Sequence, residues 1–226
     1  MSFQGYSEDA RAFFMALRFN NNREFFQDNR EWYLRDVRTP SLALAEALAK
    51  GIEAIDPEID ARPHRALSRI NRDTRFSRDK SPYRDHVWIS FRRPSEDKGK
   101  TPGFYAEIEA EGVFFGMGFY AANRPLMNAL RRQMRTAAEE IRAIWEALAG
   151  EFPLHGETYK RLSVPEEVPE ILRPWYTCKS FYLEKALPFS HAKSARLAEE
   201  IGAGFERLAP LYQYVISCKP GEEDTQ

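Results

Sequence analysis

Cysteine is almost missing from this chain. Cys178 and Cys218 are its two thiols, and their spacing gives neither a metal-ligand pattern nor a disulfide framework. Buried, inert thiols in a reducing, cytoplasmic setting are the expectation. Histidine is scarce as well, with four residues. His155 and His191 stand alone, and His64 and His86 lack the spacing of a metal fingerprint such as HExxH. No metal is expected at Asp73, Asp79 or Asp85 either, because the surrounding arginines oppose a cation. No apolar run approaches the ~20 residues that span a bilayer, which argues against a membrane partner. No basic segment leads into an apolar one at the N-terminus, so no secretory signal is expected. A large excess of one charge is absent too. The net charge of −1 argues against a wholly basic nucleic-acid binder. There is no GxSxG, no Walker loop and no dinucleotide fingerprint, and no cofactor or protein partner is named by any motif.

What is present is ordinary in amount: 43% hydrophobic and 30% charged residues, with sixteen Phe and ten Tyr. A chain of this length buries a sizeable core without staples.

Apolar residues recur at helical spacing first. Tyr6, Ala10, Phe13, Phe14 and Leu17 predict a helix capped by Ser7. Asn20-Asn21-Asn22 breaks it, and Asn21 with Glu24 resembles a capping box. A second helix carries Phe25, Phe26, Trp32, Tyr33 and Val37. A third starts at Thr39-Pro40 and runs to Asp56-Pro57. Val87, Ile89 and Phe91 then alternate as a strand. Residues 104–109 and 113–119 flank Glu111-Gly112 as a hairpin. Gly116 and Gly118 suggest a close approach by a helix or a ligand. Leu126 to Leu148 reads as helix, with a restart near Thr136. Residues 159–164 and 175–183 are expected as strands, and 190–208 as a last helix. The expectation is one α+β domain over 1–226, an antiparallel or mixed β-sheet packed against several α-helices. Residues 222–226 are expected to form a frayed acidic tail.

Charge is unevenly placed. Arg62 to Arg93 holds ten Arg/Lys against three Asp, a net of +7, so the remainder sums to −8. At its centre, residues 69–84 are dense in arginine and lack apolar periodicity. Guanidinium groups match phosphate and carboxylate oxygens. Arg72, Arg75, Arg78, Lys80, Tyr83 and Arg84 are therefore the candidate ligand-binding residues, with Phe76 as a second wall. Arg23, in the first turn after the asparagines, is expected to join them. Asp73 and Asp79 are the candidate general bases, if there is a reaction; each can equally hold a neighbouring cation in place.

Two stretches carry a family resemblance. Phe14-Met15-Ala16-Leu17-Arg18-Phe19-Asn20-Asn21-Asn22-Arg23-Glu24-Phe25-Phe26 fits F-x-x-L-x-x-N-N-N-R-x-F/W-F. Asp73-Thr74-Arg75-Phe76-Ser77-Arg78-Asp79-Lys80-Ser81-Pro82-Tyr83-Arg84 fits D-T-R-F-S-x-D-K-x-P-Y-K/R, and Lys179-Ser180-Phe181 also fits. The chain resembles the domain of unknown function 2461 family of conserved hypothetical proteins over nearly its whole length. The resemblance implies a single domain and brings no activity, substrate, cofactor or catalytic residue with it.

Three functions are therefore expected, in this order. The first is a site for an anionic ligand, a phosphorylated small molecule or nucleotide, with or without catalysis. The second is a structural or protein-interaction domain whose Arg/Asp motif is an ion-paired ordering loop. The third is nucleic-acid binding, with Phe76, Tyr83 and Trp88 stacking on bases.

Overall fold

The computed structural model describes residues 2–95, 97–221 and 224. The chain is α+β, with a five-stranded antiparallel sheet in the order β1-β2-β3-β5-β4. The strands are β1 (His86–Arg92), β2 (Gly103–Glu109), β3 (Gly112–Phe119), β4 (Leu154–His155) and β5 (Phe181–Pro188). Two compact units divide the residues. One comprises the chain up to Phe91 with Tyr105–Phe115 and Ala186–Ala203. The other comprises Arg92–Phe104, Gly116–Lys185 and the chain from Gly204 on. Strands β1, β2, β3 and β5 each contribute residues to both units.

In the first unit, α1 (Glu8–Phe19) begins where the Ala10 amide donates to Ser7 Oγ. Ala10, Phe13, Phe14 and Leu17 are fully buried on one face, as the 3–4 spacing requires. Phe13 meets Trp32 edge-on at 5.4 Å. Helix α2 (Arg23–Asp28) is capped by Asn22, whose Oδ1 accepts from the Phe25 amide at 2.9 Å. This corrects the capping box expected from Asn21. Helix α3 (Arg30–Trp32) then runs into a π-helical stretch, Tyr33–Arg38, and straight on into α4 (Thr39–Ile55). No break occurs at Thr39-Pro40, because the wide π-helical turn just before Pro40 accommodates its missing N–H. Tyr33 and Val37 before the junction and Leu44, Leu48 and Ile52 after it are all buried. One wide turn adjusts the register between those two apolar stripes. A short α5 (Pro63–Ala66) precedes the basic motif, and α9 (Phe189–Ala192) follows β5.

The second unit holds α6 (Arg124–Thr136) and α7 (Ala138–Leu148), the restart expected near Thr136. Trp145 of α7 packs edge-on against Trp175 at 5.2 Å. Trp175 lies in the short α8 (Arg173–Tyr176), not in a strand; Pro174 opens that helix, and β5 starts only at Phe181. Residues 159–164 form no strand either. Their neighbour Thr158 makes one isolated bridge to Cys178. Of the apolar residues read as strand, Tyr159 and Leu162 are exposed, whereas Trp175 and Tyr176 are buried in α8. The last helix, α10 (Leu197–Ser217), is longer than expected and passes through Pro210. Leu211, Tyr212 and Val215 are fully buried beyond the proline, which outweighs the lost hydrogen bond. Gly116 and Gly118 do meet a close approach, but from the β5 backbone at Leu183 and Phe181, not from a helix or ligand. Of the tail, Asp224 is buried and ion-paired to Arg132 at 2.7 Å, unlike the frayed end expected there. Residues 222, 223, 225 and 226 lie outside the described residues.

Candidate functional site

The basic motif folds as a hairpin-like loop in the first unit. The Arg72 amide donates to Pro82 O at 2.9 Å and the Arg84 amide to Ile70 O at 2.8 Å, around an antiparallel bridge between Asn71 and Tyr83. Residues 73–81 form the loop between these rungs. A strap fixes its base. Asn21 Nδ2 donates to Tyr83 O at 2.9 Å, and Asn21 Oδ1 accepts from the Tyr83 amide at 3.0 Å. Arg23 and Arg84 lie two residues and one residue from the two ends of that strap, so one neighbourhood contains both.

Inside the loop the acids are spoken for. Asp73 takes a forked pair of bonds from Arg75, at 3.0 Å to Nε and 2.7 Å to Nη2. This holds its carboxyl down at about 2. Asp79 accepts from the Ser81 hydroxyl and amide at 2.7 and 2.9 Å, and from Arg72 Nη1. These bonds, those from Ser81 foremost, push its pKa well below the usual carboxylate range. Carboxylates with so little affinity for a proton are poor general bases at neutral pH. Lys80 Nζ donates to Thr74 O at 2.9 Å. Arg69, Arg78, Arg84 and Arg23 meet no carboxylate among the described residues.

The aromatics divide differently from expectation. Phe76 is 95% exposed at the loop, with Arg75 Cζ 5.7 Å from its ring centroid. Tyr83 is 7% exposed and stacked on Phe26 at 4.2 Å, so its ring is taken up in packing. Trp88 is stacked on Tyr105 at 4.7 Å with 5° between the planes.

A charged network lies beside the hairpin that sequence reasoning did not assemble. Arg18 donates through Nε to Asp85 at 2.6 Å and through both terminal nitrogens to Glu111, at 2.5 and 3.1 Å. His86 Nδ1 lies 3.4 Å from Asp85, and its Nε2 lies 3.6 Å from Glu107. Burial depresses the His86 pKa; Asp85 opposes this, and the Arg84 and Arg72 charges add to it. Burial raises the Asp85 carboxyl, but the Arg18 bond more than offsets that and leaves it lowered. These residues come from α1, β1, β2 and a turn. The signal in the sequence was weak: a polar Asp85-His86 pair directly after the motif. No group of three or more His, Cys, Asp or Glu side chains among the described residues is arranged to hold a metal ion. No helix of the described residues is long and apolar enough to cross a membrane. Cys178 and Cys218 are free and buried, and burial pushes the Cys178 thiol up to about 11.

The site thus offers fixed cations, one exposed ring and a half-buried imidazole, and no activated nucleophile. No curated protein matches the chain. The model of the family described as "Conserved hypothetical protein (DUF2461)" matches residues 9–214, which takes in the strap, the whole basic hairpin and the Arg18 network, and the chain belongs to that family.

Proposed function

We propose that the 70–84 hairpin recognises the phosphate of a small phosphorylated molecule or nucleotide. One observation carries the reading: positive charge in the loop exceeds its internal partners. Arg72 and Arg75 use up both aspartates, while Arg69, Arg78 and Arg84 meet no carboxylate among the described residues and Lys80 is held by a carbonyl. Guanidinium forks left over on an ordered loop suit phosphate oxygens. The exposed Phe76 supplies a face for a base, which favours a nucleotide over a bare phosphate. Arg23 and Arg84 would contribute from the strapped base of the loop. Asp73 and Asp79 act as braces for Arg75 and Arg72, so the reading is of binding. The free thiols accord with a cytoplasmic location.

The test is binding of AMP and ribose 5-phosphate, by calorimetry, to the native protein and to Arg78→Ala/Arg84→Ala. Loss of two charge-assisted contacts is expected to weaken affinity by roughly 100-fold. Equal affinity in a folded variant overturns the proposal. The internal pairs of Arg72 and Arg75 favour a second reading, the ordering loop. On that reading Arg72→Ala lowers the melting temperature and no ligand response exists to change. Retention of a short single-stranded oligonucleotide, falling steeply with salt, would move the assignment to nucleic acid.

A further inference from the structure

Arg131 is the charge hardest to account for in the second unit. It lies on the buried side of α6 and is 8% exposed. Its Nε donates to Tyr176 O at 2.7 Å, its Nη2 to Cys178 O at 2.5 Å and its Nη1 to Asn128 Oδ1 at 2.8 Å. The rings of Tyr159 and Tyr176 lie 5.4 and 5.8 Å from its Cζ. Every one of these partners is neutral. Three of the five guanidinium N–H groups are spent, which leaves one on each terminal nitrogen.

The surroundings add positive charge where a counter-charge is due. Burial lowers the Arg131 pKa, and the groups whose fields act on it are Tyr159, Tyr176, Cys178 and Arg124, with no carboxylate among them. Arg124 stands seven residues earlier, on the same face of α6. Lys179 Nζ lies 5.4 Å from the centroid of the same Tyr159 ring that Arg131 approaches. The carboxylate near Lys179 is Glu157 at 3.5 Å, with a side chain 71% exposed. Two cations therefore flank one ring that is 36% open to solvent, a third, Arg124, repels Arg131 from the same helix, and a single acid is loosely held nearby. A buried charge is costly without its opposite. Crowding like charges around it is typical of a place where the counter-charge arrives from outside.

We propose that Arg131 and Lys179, which share the Tyr159 ring, form with Arg124 of the same helix a second anion site that takes an oxyanion group, phosphate or carboxylate, of a small molecule. Arg131 offers the fixed fork from within, its orientation set by the Tyr176 and Cys178 carbonyls. Lys179 and Arg124 supply further positive charge, and the Tyr159 ring lies within 5.4 Å of both the Arg131 guanidinium and the Lys179 ammonium.

The experiment is thermal melting at constant ionic strength in chloride, inorganic phosphate or acetate. It uses the native protein, Arg124→Ala/Lys179→Ala, the hairpin variant Arg78→Ala/Arg84→Ala, and the two combined. Arg124 is exposed and Lys179 is one third exposed, paired only with the open Glu157, so the fold survives. At about 100 times the dissociation constant, phosphate or acetate should raise the melting temperature of the native protein by about 5–10 °C over chloride. The rise should persist in the hairpin variant and vanish when Arg124→Ala/Lys179→Ala is combined with the hairpin changes. Which of the two anions acts assigns the site to phosphates or carboxylates. In chloride, Arg124→Ala/Lys179→Ala should melt at or above the native temperature, because like-charge repulsion is relieved; a purely structural cluster would melt lower. A full anion response in the combined variant, or none above chloride in the hairpin variant, overturns the proposal. A response lost in the hairpin variant alone would do so while leaving the reading of the hairpin intact.

Discussion

Three consecutive asparagines do three different jobs here. Asn20 Nδ2 donates back to Ala16 O at 3.0 Å and closes α1. Asn22 opens α2 through the Phe25 amide. Asn21 ties both backbone groups of Tyr83, 62 residues away in sequence, with one amide side chain. No other residue type but glutamine carries a donor and an acceptor so placed, and glutamine's extra methylene would push the rung out of register. Asn21→Ala strands a part-buried N–H and C=O together, and should cost about 2–3 kcal/mol. Asn22→Ala should cost about 1 kcal/mol and Asn22→Asp almost nothing, since aspartate caps as well. Urea denaturation of the three variants checks the order. Asn22→Ala costing more than Asn21→Ala would mean that the strap contributes little.

At the scale of elements, periodicity revealed what local sequence controls. Helices α1, α4, α6 and α7 and the β2–β3 hairpin stand where their apolar spacing placed them, because each buries a stripe of its own. The hairpin of 70–84 was visible as charge but not as structure. Its rungs are backbone bonds flanking Tyr83, and its anchor is Asn21, so nothing local announces it. The same holds for Arg18 with Asp85 and Glu111, and for Arg131, an arginine inside an apolar stripe whose partners are carbonyls from a distant turn. The glycines show how differently one residue type can be used. A Cβ at Gly116 would overlap the Leu183 carbonyl of β5, whereas one at Gly51 of α4 would meet nothing within 4 Å. Gly116→Ala should therefore destabilise by about 3 kcal/mol or more, as strands β3 and β5 are forced apart. Gly51→Ala should stabilise by about 0.5–1 kcal/mol through helix propensity and a less free unfolded chain. Thermal melts of the pair decide it. A tolerant Gly116→Ala would show that the two strands yield at little cost.

For the molecule as a whole, near-neutral net charge conceals a stability that should depend on pH in two stages. Burial, with the Arg84 and Arg72 charges, lowers the His86 pKa below 6.5, and Asp85 only partly offsets this. The unfolded chain then binds a proton at His86 more readily than the folded one. Its contribution is fully present above about pH 6.5 and is lost as pH falls through the depressed folded value, at up to about 1.4 kcal/mol per pH unit. A second loss follows at lower pH. Asp85, Glu111, Asp224 and Glu167 are all held below their ordinary values in the fold. Their contribution is present above about pH 4.5 and is lost as each carboxylate is protonated. Arg18–Glu111 and Arg135–Glu167 are largely exposed, so salt should shrink their share of this stage. His86 is half-buried and should keep most of its effect in salt. Melting temperature measured from pH 8 to pH 3 should show both stages in the native protein. In His86→Gln the upper one should flatten, with the carboxylate stage unchanged. A His86→Gln profile with the same upper slope would assign that proton to another group and remove the imidazole beside the hairpin from the charge balance of the fold.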